Sequence, residues 1–324
     1  MRGDTMNEEK RNHMFTTVVA LLIVLMCGCI SGFDENREAE KRSIVDDLGR
    51  TVFVPDNPQR ILSLAPSVTE ILFILGLENQ IVGVDDNSDY PEAAKDKEKV
   101  GGWIPDEERI MALRPDLVLV SDMTSQAIIS SLEDRGLIVV CLAPKTVEGV
   151  IQNIRLVGLI TGKEDAAQMI AEGLEQRIEA ITSVTASQLY RPSVYLEYYP
   201  YWTFGPGSFG NDLIVMAGGI NIAADTATEY PNISGEYIVG KNPEIIIFTV
   251  GHGTTTTVDD IRDRPGFDTI DAVKNNRIHT IDDDILSRPS PRIVDALEQL
   301  AYIIHPELFP QSRDMRLWCV PCLC

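Results

Sequence analysis

The stretch EDAAQMIAEGLEQRIEAITSVTAS, residues 164–187, sets the reading of the whole chain. Ala166, Ile170, Leu174 and Ile178 recur every four residues and Ile181 follows after three, among helix-favouring residues and without a proline. The spacing predicts one straight helix with a single apolar stripe. At 1.5 Å per residue it would reach roughly 36 Å, about the width of a small domain. Strand-rich sequence lies on both sides, so the helix reads as a rigid strut between two lobes. A cover helix on a single α/β sheet is the other reading of the same pattern.

On the N-terminal side, IVDDLGRTVFV (residues 44–54) alternates around a Leu-Gly-Arg turn and reads as a β-hairpin. RILSL (60–64) is a short buried strand. Ala65-Pro66-Ser67 then turns the chain into a helix, with Ser67 as its expected N-cap and Gly76 as its stop. Strands at 81–84, 116–120 and 138–142 alternate with helices at 107–113 and 126–135. On the C-terminal side, strands at 193–197, 244–249 and 277–281 alternate with helices at 211–217, 257–263 and 294–304. This rhythm predicts an α/β fold of two lobes with mostly parallel central sheets covered on both faces. Loops leaving the carboxyl ends of the strands should face each other across a cleft.

Composition fits that plan. The chain has 324 residues, 44% hydrophobic and 24% charged, enough for two domains of about 130 residues each. A formal net charge of -21 repels a phosphate backbone, which argues against a nucleic-acid partner. FTTVVALLIVLM (15–26), preceded by Lys10 and Arg11 and followed by CGC, reads as an export signal. Its end resembles the lipobox of exported lipoproteins, which would make Cys29 a lipidated N-terminus; an uncleaved N-terminal membrane anchor is the alternative. The expected partition is a leader (1–29), a polar tether (30–43), an N-terminal lobe (44–146), a helical region (147–189), a C-terminal lobe (190–310) and a tail (311–324). Cys319, Cys322 and Cys324 in that tail lack zinc-site spacing.

The cleft loops carry the candidate ligand contacts: Asp85, Tyr90 and Trp103 from the first lobe, and Tyr201, Trp202, His252 and Arg288 from the second. Aromatic residues make up 6% of the chain, yet several gather in EYYPYWTF directly after one strand, offering rigid faces to a bulky ligand. Other classes fit less well. Gly205-Pro206-Gly207-Ser208-Phe209-Gly210 satisfies G-x-G-x-x-G, but aromatics separate it from its strand and Pro206 removes a phosphate-facing N–H. Among four histidines only His252 sits on a cleft loop, too few for a transition-metal site. No nucleophile, base and orienting group occur together at motif spacing, so the expectation is a non-enzymatic capture protein without a resident cofactor.

Five blocks in order, RILSLAPSVTEILFILG, VGGWIPDEERIMALRPDLVLVS, TFGPGSFGNDLIVMAGGINIAAD, YPNISGEYIVGKNPEIIIF and DDDILSRPSPRIVDALEQLA, resemble the cobalamin and iron-siderophore substrate-binding proteins of ABC importers. The resemblance implies two α/β lobes bridged by one long helix, the class III periplasmic-binding-protein architecture, with small opening motions. It implies a monomer anchored at the outer face of the cell membrane, with an ABC permease and its ATPase as partners. SRPSPRIVD is similar to the cobalamin branch, which implies a corrinoid ligand, with a ferric siderophore or haem as alternative. Glu70, in SVTE, and Glu236, in ISGE, match the two glutamates that in this family dock onto permease arginines, one per lobe. His252 would then be placed to ligate a corrinoid cobalt or bond its amides.

Overall fold

The structure is a computed structural model that describes residues 41–251 and 255–309. The leader with Cys29, most of the expected tether, His252 and the cysteine-bearing tail lie outside the described residues.

The opening hairpin pairs β1 (Lys41–Val45) antiparallel with β2 (Thr51–Pro55). It is pinned to the N-terminal lobe through its turn. Buried Asp46 accepts from Cys141 N, and Asp47 accepts from Ala143 N and from Asn153 Nδ2. The lobe itself is a parallel sheet of β3 (Ile61–Ser63), β4 (Ile81–Val84), β5 (Leu117–Ser121) and β6 (Val139–Leu142), in the order β4-β3-β5-β6. Its helices are α1 (Pro66–Ile74), α2 (Glu107–Leu113) and α3 (Gln126–Asp134). Alternation along β5 shows why the strand is apolar throughout. Leu117 and Leu119 face the cluster beneath α1, whereas Val118 and Val120 pack with Ile110 and Leu132 of α2 and α3.

Two helices connect the lobes, α4 (Val147–Thr161) and α5 (Glu164–Thr185). Gly162 at φ 67° ends α4 in the left-handed region, which glycine enters without a Cβ penalty. The 22 residues of α5 span roughly 33 Å. The buried face follows the expected stripe only in part: Leu174 and Ile181 are buried together with Ala167, Ala171 and Thr185, while Ala166, Ile170 and Ile178 are half-buried. The small residues face α4, where a Cβ on Gly158 would come within 2.3 Å of Ala167. Close helix approach, not side-chain bulk, selects this face.

The C-terminal lobe is a sheet of β7 (Ser193–Tyr199), β8 (Trp202–Thr203), β9 (Ile220–Asn221), β10 (Ile245–Val250) and β11 (Ile278–Asp282). Its order is β11-β10-β7-β8, with β9 also on β7; only β8 runs antiparallel to its neighbour. The helices are α6 (Phe209–Met216), α7 (Gly235–Lys241), α8 (Val258–Arg262), α9 (Asp271–Lys274), α10 (Asp283–Ser287) and α11 (Ile293–Ile304). One apolar cluster runs from Leu72 of the first lobe through Ile151 and Ile154 of α4 to Leu213, Ile214 and Leu297 of the second lobe. With α5 packed against both α4 and α11, the two lobes share a core beneath the cleft, which stiffens them against each other.

Candidate functional site

The β3 strand ends at Ser63 and α1 begins at Pro66, so the chain turns within two residues at the carboxyl edge of the sheet. Ala65, not Ser67, is the N-cap: Pro66 occupies the first helical turn, where its missing N–H costs nothing, and Ser67 is buried inside the helix. With the connections that lead into α4, α6 and α11, this turn brings Ala65, Pro66, Ser67, Pro144, Phe209, Arg288 and Pro289 to one cavity of about 450 Å³ between the lobes. That is within the size range of small-molecule sites.

The second lobe supplies an aromatic wall. Tyr198 and Phe204 pack as tilted rings at 5.0 Å and Phe204 and Phe209 at 5.6 Å, while Tyr230 lies edge-on to all three at 6.0 to 6.5 Å. Trp103 and Met123 of the first lobe close the wall and are 70% and 63% exposed, so both present apolar surface at the mouth. Gly101, at φ 99°, makes the tight turn that carries Trp103 outward.

Of the expected contacts, Asp85, Trp103 and Arg288 line this cavity. Tyr201 and Trp202 stand outside it. Tyr201 packs in the second-lobe core under the Arg264 guanidinium, 4.6 Å from its ring, and Trp202 pairs with Tyr199 across a bulged turn. Strand parity explains the exchange: Val194, Leu196 and Tyr198 share the face that continues into the cavity, whereas Tyr195 and Glu197 point to the opposite core. The same alternation was available in the sequence for Tyr198. Phe209 and Tyr230 carried no such signal, the first standing at the start of α6 and the second on a loop. Tyr90 is also off the cavity and lies against the Arg292 guanidinium at 3.9 Å.

Charge at the site is organised by carboxylates. Arg288, 8% exposed, donates to Asp89 Oδ1 at 2.7 Å, lies 2.9 Å from Asp284 and 3.6 Å from Glu70, and thereby ties the lobes together. Glu70 is the largest departure from expectation. It is 4% exposed and sits in the second turn of α1, holding Arg292 through two bonds of 2.8 and 2.6 Å. Glu70 is thus buried between the lobes and not a rim charge, whereas Glu236 is exposed, in the first turn of α7. At the opposite edge of the cleft, Lys145 bridges Asp122 at 3.3 Å and Glu229 at 3.1 Å, and Asp212 of α6 accepts from Val147 N at the start of α4. Among the described residues, no group of three or more His, Cys, Asp or Glu side chains converges as metal ligands would.

Burial pushes the Asp85 carboxyl above its ordinary range, opposed by bonds from Ser88 Oγ and Asn87 N and by the Lys99 and Arg288 charges. A carboxyl raised in the folded state contributes stability below the unfolded value of 3.8 and loses it as pH rises through the folded value. Asp85→Asn is therefore expected to raise the thermal midpoint at neutral pH, with the gain shrinking on acidification and vanishing below pH 3.8. Midpoints that stay parallel to the wild type across that titration would contradict this account.

Residues 61–285 match the family model described as periplasmic binding protein. The chain belongs to that family. It is 31% identical over 307 residues to the uncharacterized ABC transporter substrate-binding lipoprotein YvrC of Bacillus subtilis, covering 90% of this chain and 96% of that one. It is 30% identical over 249 residues to the vitamin B12-binding protein of Vibrio cholerae, covering 76% and 89% of the two chains. Among solved structures, the periplasmic heme-binding protein RhuT from Roseiflexus sp. RS-1 superposes with a TM-score of 0.70 at 27% identity, over 76% of this chain and 98% of that one. This chain is thus a periplasmic binding protein related to ABC transporter substrate-binding proteins.

Proposed function

We propose that the interlobe cavity captures a corrinoid and presents it to the permease. The observation that carries this reading is the cavity's combination of shape and charge. Five aromatic side chains line it, and among its described residues the charged groups are Asp85, Asp122 and Arg288, the last already surrounded by Asp89, Asp284 and Glu70. A polyanionic ferric siderophore calls for cations that are not already neutralised. A corrinoid presents a broad apolar face with neutral amides at its edge, which suits an aromatic wall fringed by Ser67, Asn87, Ser121 and Thr124. The B12-binding relative supports the same ligand.

Calorimetry with cyanocobalamin is the direct test, with one-to-one binding expected. Absence of heat alongside uptake of a ferric siderophore or haemin moves the protein to the alternative ligand class. Trp103→Ala is expected to weaken binding by about 2 kcal/mol, roughly thirtyfold, because a ligand at the mouth would cover an aromatic anchor. An unchanged titration removes Trp103 from the site. Lipidation at Cys29 belongs to the same proposal, as does docking through the exposed Glu236. Mass spectrometry of the membrane-extracted protein tests the former, and permease-stimulated ATP hydrolysis by Glu236→Lys the latter.

A further inference from the structure

The phenol oxygens of Tyr198 and Tyr230 are unusual within this cavity. Buried polar groups in folded proteins are almost always hydrogen-bonded, and among the described residues only Gln80 Oε1 is a fully buried side-chain polar atom without a partner. Tyr198 accepts a bond from Thr249 Oγ1 at its backbone carbonyl, but neither phenol hydroxyl bonds to any described residue. Both hydroxyls therefore border open space, and both residues line the cavity. The two rings meet edge-on at 6.2 Å, and Phe204 and Phe209 pack against Tyr230, so neither ring can swing away without dismantling the wall. Burial pushes the Tyr230 phenol up to about 12 and raises that of Tyr198, keeping both protonated at any physiological pH.

We infer that Tyr198 and Tyr230 are a pre-positioned pair of hydrogen-bond donors that select ligands carrying neutral oxygen acceptors, such as amide carbonyls, along the edge facing the second lobe. This deepens the capture function proposed above and rests on it for the location of the ligand. A site with two fixed donors rejects an analogue that cannot accept from them, since the hydroxyls would be covered without partners. The pair is assigned O–H donation to the ligand's acceptors, and a phenolate–iron bond is the competing outcome that the haemin arm of the test detects.

The test titrates the wild type, Tyr198→Phe, Tyr230→Phe and the double variant with cyanocobalamin, a ferric hydroxamate siderophore and haemin, following heat and the visible spectrum. Phenylalanine keeps the rings and their packing, and far-ultraviolet circular dichroism checks the fold. Each single variant is expected to lose about three- to tenfold in affinity for whichever probe the wild type takes up, and the double variant more. If that probe is not cyanocobalamin, the corrinoid reading fails while the donor pair is still judged on the bound probe. Equal affinity of wild type and double variant for the bound probe overturns the donor pair. So does a phenolate-to-iron charge-transfer band in the wild-type haemin complex that either single variant abolishes.

Discussion

Replacing Glu70 by alanine should destabilise the protein by about 3–5 kcal/mol, the range found when one member of a buried ion pair is removed. The Arg292 side chain is 17% exposed and its guanidinium is held by both Glu70 oxygens; without them it faces only the ring of Tyr90 and more distant charge. Arg288, 3.6 Å from the same carboxylate, loses a partner as well. The loss should appear as a lower urea midpoint with an unchanged slope. Glu70→Ala combined with Arg292→Met should recover much of it, because a buried pair contributes little over a well-packed apolar replacement. This separates the structural role from docking. A permease-contacting carboxylate on the rim could be removed with almost no change in stability, and that outcome would restore the expectation read from SVTE.

A comparable loss, again about 3–5 kcal/mol, is expected for Arg264→Met. Glu197, 2% exposed, sits on β7 one residue before the cavity-lining Tyr198. It accepts from Arg264 at 2.6 and 2.7 Å, from Tyr195 Oη at 2.6 Å and from Tyr201 N at 3.0 Å. The last bond fixes the bulged turn into β8, where Tyr201 takes φ 68°, uncommon for a residue with a side chain. Removing Arg264 strands a buried carboxylate and also strips the cation stacked on Tyr201 and Phe267. Ligand affinity should therefore fall together with the urea midpoint, since the turn holds the aromatic wall. Arg262→Met, which breaks an exposed pair with Asp259, is the control and should shift the midpoint little. Equal effects of the two substitutions would rule out this role for Glu197.

Much of this protein was legible from its sequence because strand and helix periodicity is local. The hairpin, the strand-turn-helix rhythm and the helix at 107–113 follow from which residues alternate and where Gly and Pro interrupt them. Cleft placement of Asp85, Trp103 and Arg288 followed as well, since loops leaving parallel strands must gather at one edge. Position after a strand, however, does not say which way a side chain points. Tyr201 and Trp202 fell outside the cavity because a bulge after Glu197 turned the chain, whereas Phe209 entered it from the first turn of α6 and Tyr230 from a loop. Likewise, α5 buries Ala167 and Ala171 more deeply than Ile170 and Ile178 of its expected stripe because it has close neighbours on two sides, a fact of packing and not of sequence. Glu70 makes the distinction sharpest. Its sequence context fits a surface charge, and only the approach of Arg292, 222 residues away, makes it a buried interlobe tie. The sequence by itself determined the elements and the edge where they meet; the tertiary structure decided which side chains share a surface, because that depends on contacts between residues far apart in the chain.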